Sequence, residues 1–259
     1  TNIFNYLKSM LNSKYNVKQK GGSSERVEKI VYGLLKKKVK LLALDFDQTL
    51  VDIFMSTYQS SPSLIAQHIR PVFVSLINAC MAKNIVVAIV TFSSNTELIA
   101  KAMETKLDIC ISPEYGRLKR DEILLRGLDD TWSKPNSQVL PNCWQNVQLN
   151  GKLGHIAAIV RQLNTKGTYF SPRGFLVRPS EILYFDDDLN NCEYSIKAEI
   201  CTAAIPLCER NDLNNIILED LEDYYLRNEN FKRLTVGYAR TVAIGTGTFS
   251  SCAGSCNIL

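Results

Sequence analysis

An α/β fold, with an open parallel sheet held between two layers of helices, is predicted by three apolar runs and the segments that separate them. Val39–Leu44 leads into Asp45-Phe46-Asp47-Gln48-Thr49, Ile85–Val90 into Thr91, and Ile182–Phe185 into Asp186-Asp187-Asp188. Short, near-continuous runs of Val, Ile and Leu mark strands buried on both faces of a parallel sheet. Helical periodicity fills the intervals between them, supplying the crossovers that parallel strands require. Each run also stops at a carboxylate or a hydroxyl. Ligands in open α/β sheets bind beyond the carboxyl ends of the strands, so these polar residues should meet at one edge.

Residues 2–13 read as a short helix, followed by a polar stretch through Gly21-Gly22-Ser23-Ser24. Val27, Ile30, Val31, Leu34 and Leu35 recur at helical spacing and lead into the first strand. Lys36-Lys37-Lys38 suits the C-terminus of that helix, where the macrodipole favours cations. Residues 50–64 carry turn and strand signals. Pro71 opens a helix through about Met81, with Val72, Leu76, Ile77 and Cys80 on one face. A helix from roughly Thr96 to Thr105 follows the second strand, and Leu107–Ile111 has the pattern of a third. Residues 113–150 read as a long irregular insertion, Lys152 precedes a helix through Leu163, and 164–180 read as loop. An apolar segment near Ile200–Ile205 and an amphipathic helix (Leu213, Ile216, Ile217, Leu221) complete the pattern. The expected division is an N-terminal helical extension (1–38), an α/β domain (39–227) containing the insertion, and a Gly-, Ser- and Thr-rich tail (228–259).

The 259 residues are 46% hydrophobic and 22% charged, ordinary values for a soluble globular protein. A net charge of +4 is too mild to imply nucleic acid, and none is expected as a partner. Eight cysteines are scattered without a disulfide framework or a C-x-x-C pair. Cys80, Cys110 and Cys201 lie in apolar stretches and read as small core hydrophobes. With no secretory h-region and no apolar run long enough to span a bilayer, a cytoplasmic location is expected.

Asp45, Asp47, Asp186 and Asp187 crowded at one sheet edge cannot all stay ionised without compensation. A divalent cation and the Lys152 ammonium supply it. Hard oxygen ligands with room for water suit Mg²⁺ better than Zn²⁺, which takes His or Cys. Magnesium beside lysine points to a phosphoryl group.

Asp45-x-Asp47-x-Thr49 after a buried strand, Thr91 ending a second, Lys152 at a helix start and Asp186-Asp187 ending a third resemble the haloacid dehalogenase (HAD) superfamily. The four motifs occur in that superfamily's order and span residues 39–191. The resemblance implies a three-layer Rossmann-like domain and a Mg²⁺-dependent phosphomonoesterase. Asp45 would be the nucleophile that forms an aspartyl-phosphate, and Asp47 the acid and then the base. Thr91 would hydrogen-bond a phosphoryl oxygen, and Lys152 would neutralise charge. The metal would be held by Asp45, the Asp47 carbonyl and the Asp186-Asp187 pair, with Asp186 favoured over Asp187. Asp188 would point away and Asn190 would help orient the pair. Lys101 and Lys166 compete with Lys152 for the lysine role, and His155 is expected in the core or on the surface.

The Thr49-to-Thr91 interval is small for a helical cap, so the domain should be capless or carry only a small insertion. Gly151–Ile156 and Ile182–Asn191 are similar to capless magnesium-dependent phosphatases, whereas 113–150 departs from that compact pattern. The expected substrate is a phosphorylated small molecule or a phosphoprotein. Arg117, Lys119 and Arg120 offer charge for a second anionic group, although a solvated loop is the favoured explanation. Cys256-Asn257-Ile258-Leu259 fits the C-a-a-X prenylation pattern, and Cys252 could take a second chain. The alternative function is therefore a phosphoprotein or lipid-phosphate phosphatase at a membrane surface. A chance match competes, since Asn257 is polar and no polybasic run stands upstream. A binding module on the same scaffold is the third reading.

Overall fold

The computed structural model describes residues 23–55, 61–112, 122–128, 144, 148–164, 176–204, 218 and 221–222. The helix expected over 2–13, Arg117, Lys119, Arg120, Lys166, Leu213, Ile216, Ile217 and the tail with Cys252 and Cys256 lie outside them. The described elements are α1 (Ser23–Lys36), β1 (Leu41–Leu44), α2 (Pro62–Gln67), α3 (Pro71–Ala82), β2 (Val86–Val90), α4 (Thr96–Leu107), β3 (Cys110–Ser112), β4 (Glu122–Arg126), α5 (Leu153–Leu163), β5 (Ile182–Asp186), α6 (Leu189–Lys197) and β6 (Cys201–Ala204).

These strands form one sheet in the order β3-β4-β2-β1-β5-β6, with every pairing parallel. The α/β sandwich expected from the apolar runs is what forms. Side chains alternate across the pleat. Leu42, Leu44, Val87, Ile89, Leu183 and Phe185 face a core completed by α1, α3 and α4. Leu41, Ala43, Val86, Ala88, Val90, Ile182 and Tyr184 face a second core completed by α5 and Trp144. Trp144 is fully buried, and its indole N–H donates to the Val177 carbonyl at 3.3 Å.

α1 ends at Lys36 as its lysine run suggests, and it buries Val27, Ile30, Val31 and Leu34. Leu35 remains 39% exposed, so it is not part of the core stripe. This helix is a layer of the domain more than an extension from it. Pro71 begins α3, which buries Val72, Leu76, Ile77 and Cys80. Burial pushes the Cys80 thiol pKa upward, in keeping with a packing role. Cys201 and Cys192 are also buried, and neither is in a disulfide.

Three local expectations need correction. The helix after β2 runs on to Leu107, because Met103 and Leu107 continue its apolar row. Asp108 then turns left-handed (φ 52°), and β3 begins only at Cys110. Residues 113–150 are not irregular throughout, since β4 lies within them and pairs with both β2 and β3. Within the described part of 50–64, Val51 bridges to Ile69 and the short helix α2 begins at Pro62. Among the described residues, no helix is long and apolar enough to cross a membrane.

Phe73 of α3 meets Phe185 of β5 edge to face, with ring centroids 5.3 Å apart and both rings fully buried. Phe73→Ala removes that contact and leaves a cavity, so an equilibrium urea titration should read a loss of about 3–5 kcal/mol.

Candidate functional site

β1 and β5 are neighbours in the sheet but distant in sequence. The chain leaves β1 for β2 on one side and comes back to β5 on the other. A crevice opens at the carboxyl end where such a reversal occurs. Asp45 follows β1, Asp186 ends β5, and the Asp45 N–H donates to the Phe185 carbonyl at 2.9 Å. The two acids therefore stand side by side, and both are buried.

Beyond Asp45 the chain makes one wide helical turn over Phe46–Leu50. The N–H groups of Leu50 and Val51 reach back five residues, to the carbonyls of Asp45 (3.3 Å) and Phe46 (3.0 Å). Gln48 takes up left-handed φ (57°) within it. Arg70 braces the turn from outside, its Nε donating to the Thr49 carbonyl (2.9 Å) and its Nη2 to the Gln48 carbonyl (3.0 Å). The half-buried Asp47 is held by the Met55 N–H, which donates to Oδ1 at 2.6 Å. Thr49 directs its hydroxyl to Asp187 Oδ1 at 3.4 Å.

Lys152 enters from the start of α5. Its buried Nζ lies 2.5 Å from Asp45 Oδ1 and 3.1 Å from Asp186 Oδ2. The preceding Gly151 has left-handed φ (53°), and a Cβ there would fall 2.3 Å from Asn191 Oδ1, so only glycine fits. The same Asn191 oxygen accepts from the Lys152 backbone N–H at 3.4 Å. Lys101 has another use: it pairs with Glu97 on the exposed face of α4.

Asp186 is the most heavily engaged of the acids. Oδ2 accepts from Lys152 and from the Tyr184 hydroxyl, while Oδ1 accepts from the Asp188 N–H (2.8 Å) and Asn191 Nδ2 (3.4 Å). Asp188 points away as expected and caps α6, accepting from the Asn190 N–H at 2.9 Å. The orienting amide is therefore Asn191 rather than Asn190, which is exposed.

Thr91 is buried at the end of β2, and its Oγ1 accepts from the Ser93 N–H at 3.0 Å. Next to it, the Phe92 ring centroid lies 5.3 Å from Lys152 Nζ. Phe92 also packs edge-on against the buried His155, with centroids 5.5 Å apart.

Ligand oxygens of Asp45, Asp186 and Asp187 all lie within 4.8 Å of one another, and together they could hold a metal ion. The Asp47 carboxyl is not part of that cluster. Asp45 Oδ2 is buried without a hydrogen-bond partner, which is costly unless a cation or a proton sits against it. An all-oxygen set with an orphaned carboxylate atom fits a hard divalent cation.

Burial raises the Asp45 carboxyl well above the ordinary range; Lys152 opposes the rise and Asp186 adds to it. Burial also raises Asp187, with Asp186 contributing, and raises Asp47 against the pull of the Met55 N–H. For Lys152, burial works to lower the pKa, but attraction to Asp45 and Asp186 wins and the ammonium is held above its usual value. Tyr184 is pushed up by burial and then by Asp186, so it stays a donor.

Sequence reasoning missed Tyr184, Asn191, Arg70 and Phe92. Tyr184 had a readable signal, because it stands two residues before Asp186 on one strand and shares its face. No protein-family model and no curated protein matches this chain.

Carboxyls with raised folded-state pKa values bind protons that the unfolded chain has already lost. Cation-free stability should therefore fall as pH rises from the ordinary carboxylate range through those raised values. A divalent cation must displace the same protons. Thermal melts with and without MgCl₂ should show a larger upward shift at pH 7.5 than at pH 5. A shift that is equal or larger at pH 5 contradicts this electrostatic reading.

Proposed function

We propose that this protein is a Mg²⁺-dependent phosphomonoesterase of the HAD type, working through an acyl phosphate (aspartyl-phosphate) on Asp45. The observation that carries the reading is the state of the Asp45 carboxyl: buried, one oxygen on the Lys152 ammonium, the other without a hydrogen-bond partner among the acids of a possible metal cluster. A carboxylate used only for structure would have both oxygens satisfied, as Asp186 does.

Asp45 and Asp187, with the Asp47 carbonyl, would hold Mg²⁺. Asp186, with four donors already on its oxygens, serves instead to hold Lys152 and Tyr184. That division of labour reverses the order favoured from sequence. Bound there, Mg²⁺ supplies positive charge that favours ionised Asp45 and draws electron density from the phosphoryl oxygens.

In the first half-reaction an Asp45 oxygen attacks phosphorus, the ester P–O bond breaks, and the electron pair leaves on the alcohol oxygen. Asp47 gives that oxygen a proton, a role suited to a carboxyl whose pKa burial has raised. In the second half-reaction Asp47 takes a proton from water as its oxygen attacks phosphorus, and phosphate leaves Asp45. Lys152 fixes the orientation of Asp45 and neutralises charge. Thr91 accepts the Ser93 N–H on its oxygen, so its own O–H can donate to a phosphoryl oxygen.

Hydrolysis of p-nitrophenyl phosphate tests the scheme. Turnover is expected to require Mg²⁺, to vanish in Asp45→Asn, and to drop about 10²–10⁴-fold in kcat for Asp47→Asn. Metal-independent turnover, or an undiminished rate in Asp45→Asn, contradicts it.

A further inference from the structure

Large apolar side chains stand exposed at the sheet edge that carries this charged site. Phe54, Phe92, Leu128 and Leu189 are 51%, 48%, 51% and 49% exposed. They sit respectively beyond the turn that follows β1, after β2, after β4 and after β5, all at the carboxyl edge of the sheet. Exposed apolar side chains scattered singly are ordinary. Three on loops and one opening α6, all at the sheet edge that carries a single buried charge cluster, is a different distribution. The loops also adjoin: the Leu128 N–H donates to the Ser93 carbonyl at 3.0 Å, which brings the β4 loop against the Phe92 loop.

Two of the four are tied to groups with a role in the reaction. The Phe92 ring lies 5.3 Å from Lys152 Nζ, whose ammonium holds Asp45. Phe54 directly precedes Met55, whose N–H holds the Asp47 carboxyl. With phosphorus fixed at Asp45, the ester oxygen must come within reach of Asp47. The carbon skeleton attached to that oxygen would then run outward, toward the sheet edge where Phe54 and Phe92 are exposed.

Resting on the phosphomonoesterase reading, we infer that the substrates are phosphate monoesters of small apolar alcohols or phenols, with Phe54 and Phe92 covering the leaving group. Water enters, the alcohol and inorganic phosphate leave, and no further co-reactant is needed. A sugar would place hydroxyls against these rings and lose their hydration without replacement.

The full chain with Mg²⁺ can be assayed on n-alkyl phosphates from ethyl to hexyl and on glucose 6-phosphate. The kcat/KM value is expected to climb about two- to fourfold per added methylene until the apolar surface is covered. The sugar phosphate should fall below the butyl ester. The double variant Phe54→Ala/Phe92→Ala should flatten the climb, and an unchanged slope in it overturns the assignment to these rings. If that variant does not fold, the wild-type slope decides. A flat wild-type series, or preference for the sugar phosphate, overturns the apolar substrate class while leaving the phosphatase reading intact. Absence of Mg²⁺-dependent hydrolysis of every ester overturns both.

Discussion

Lys152 is buried between Asp45 and Asp186, and the ammonium that joins them spans the point where the sheet reverses its strand order. Burying charge costs several kcal/mol per ion unless close partners compensate. Three carboxylates against one ammonium leave two formal negative charges in the crevice. Burial, with repulsion from Asp186 added to it, raises the pKa values of Asp45 and Asp187. A divalent cation would balance those negative charges, and a phosphoryl group arriving there would meet positive charge from both the ion and Lys152.

Much of the surrounding fold holds those groups in register. The parallel pairing of Leu44 with Phe185 sets Asp45 beside Asp186. The wide turn after Asp45 brings Asp47 back toward the same crevice, and Arg70 secures two of its carbonyls. On the opposite side, Gly151 and Asn191 fix the entry of α5, so that Lys152 arrives at the right height. Asn191 also touches Asp186, so one amide couples the lysine to the acid it neutralises.

The strands that deliver chemistry were legible because they are buried on both faces, which turns their sequences into unbroken apolar runs ended by polar residues. β4 was not. Its three apolar residues stand between Glu122 and Arg126, and nothing local reveals that it pairs on both sides. The meeting of Asp45, Asp186 and Lys152 followed from motif order and topology. The different hydrogen bonding of Asp186 and Asp187 did not, since consecutive aspartates look alike until Tyr184, Asn191 and the Asp188 N–H engage one of them. The exchange of Asn190 for Asn191 is a matter of helix phase, set by Asp188 acting as the cap. The exposed apolar side chains at the sheet edge escaped notice because exposure is a tertiary property.

The central claim is that a cation completes the cluster at Asp45. Manganese occupies the same oxygen-rich sites as magnesium and scatters anomalously, so crystals grown with Mn²⁺ locate the ion directly. One anomalous peak is expected about 2.0–2.5 Å from both Asp45 Oδ2 and an Asp187 oxygen, with Lys152 still on Asp45 and Asp186. At saturating Mn²⁺, an empty crevice or a peak bound only elsewhere on the molecule contradicts the account.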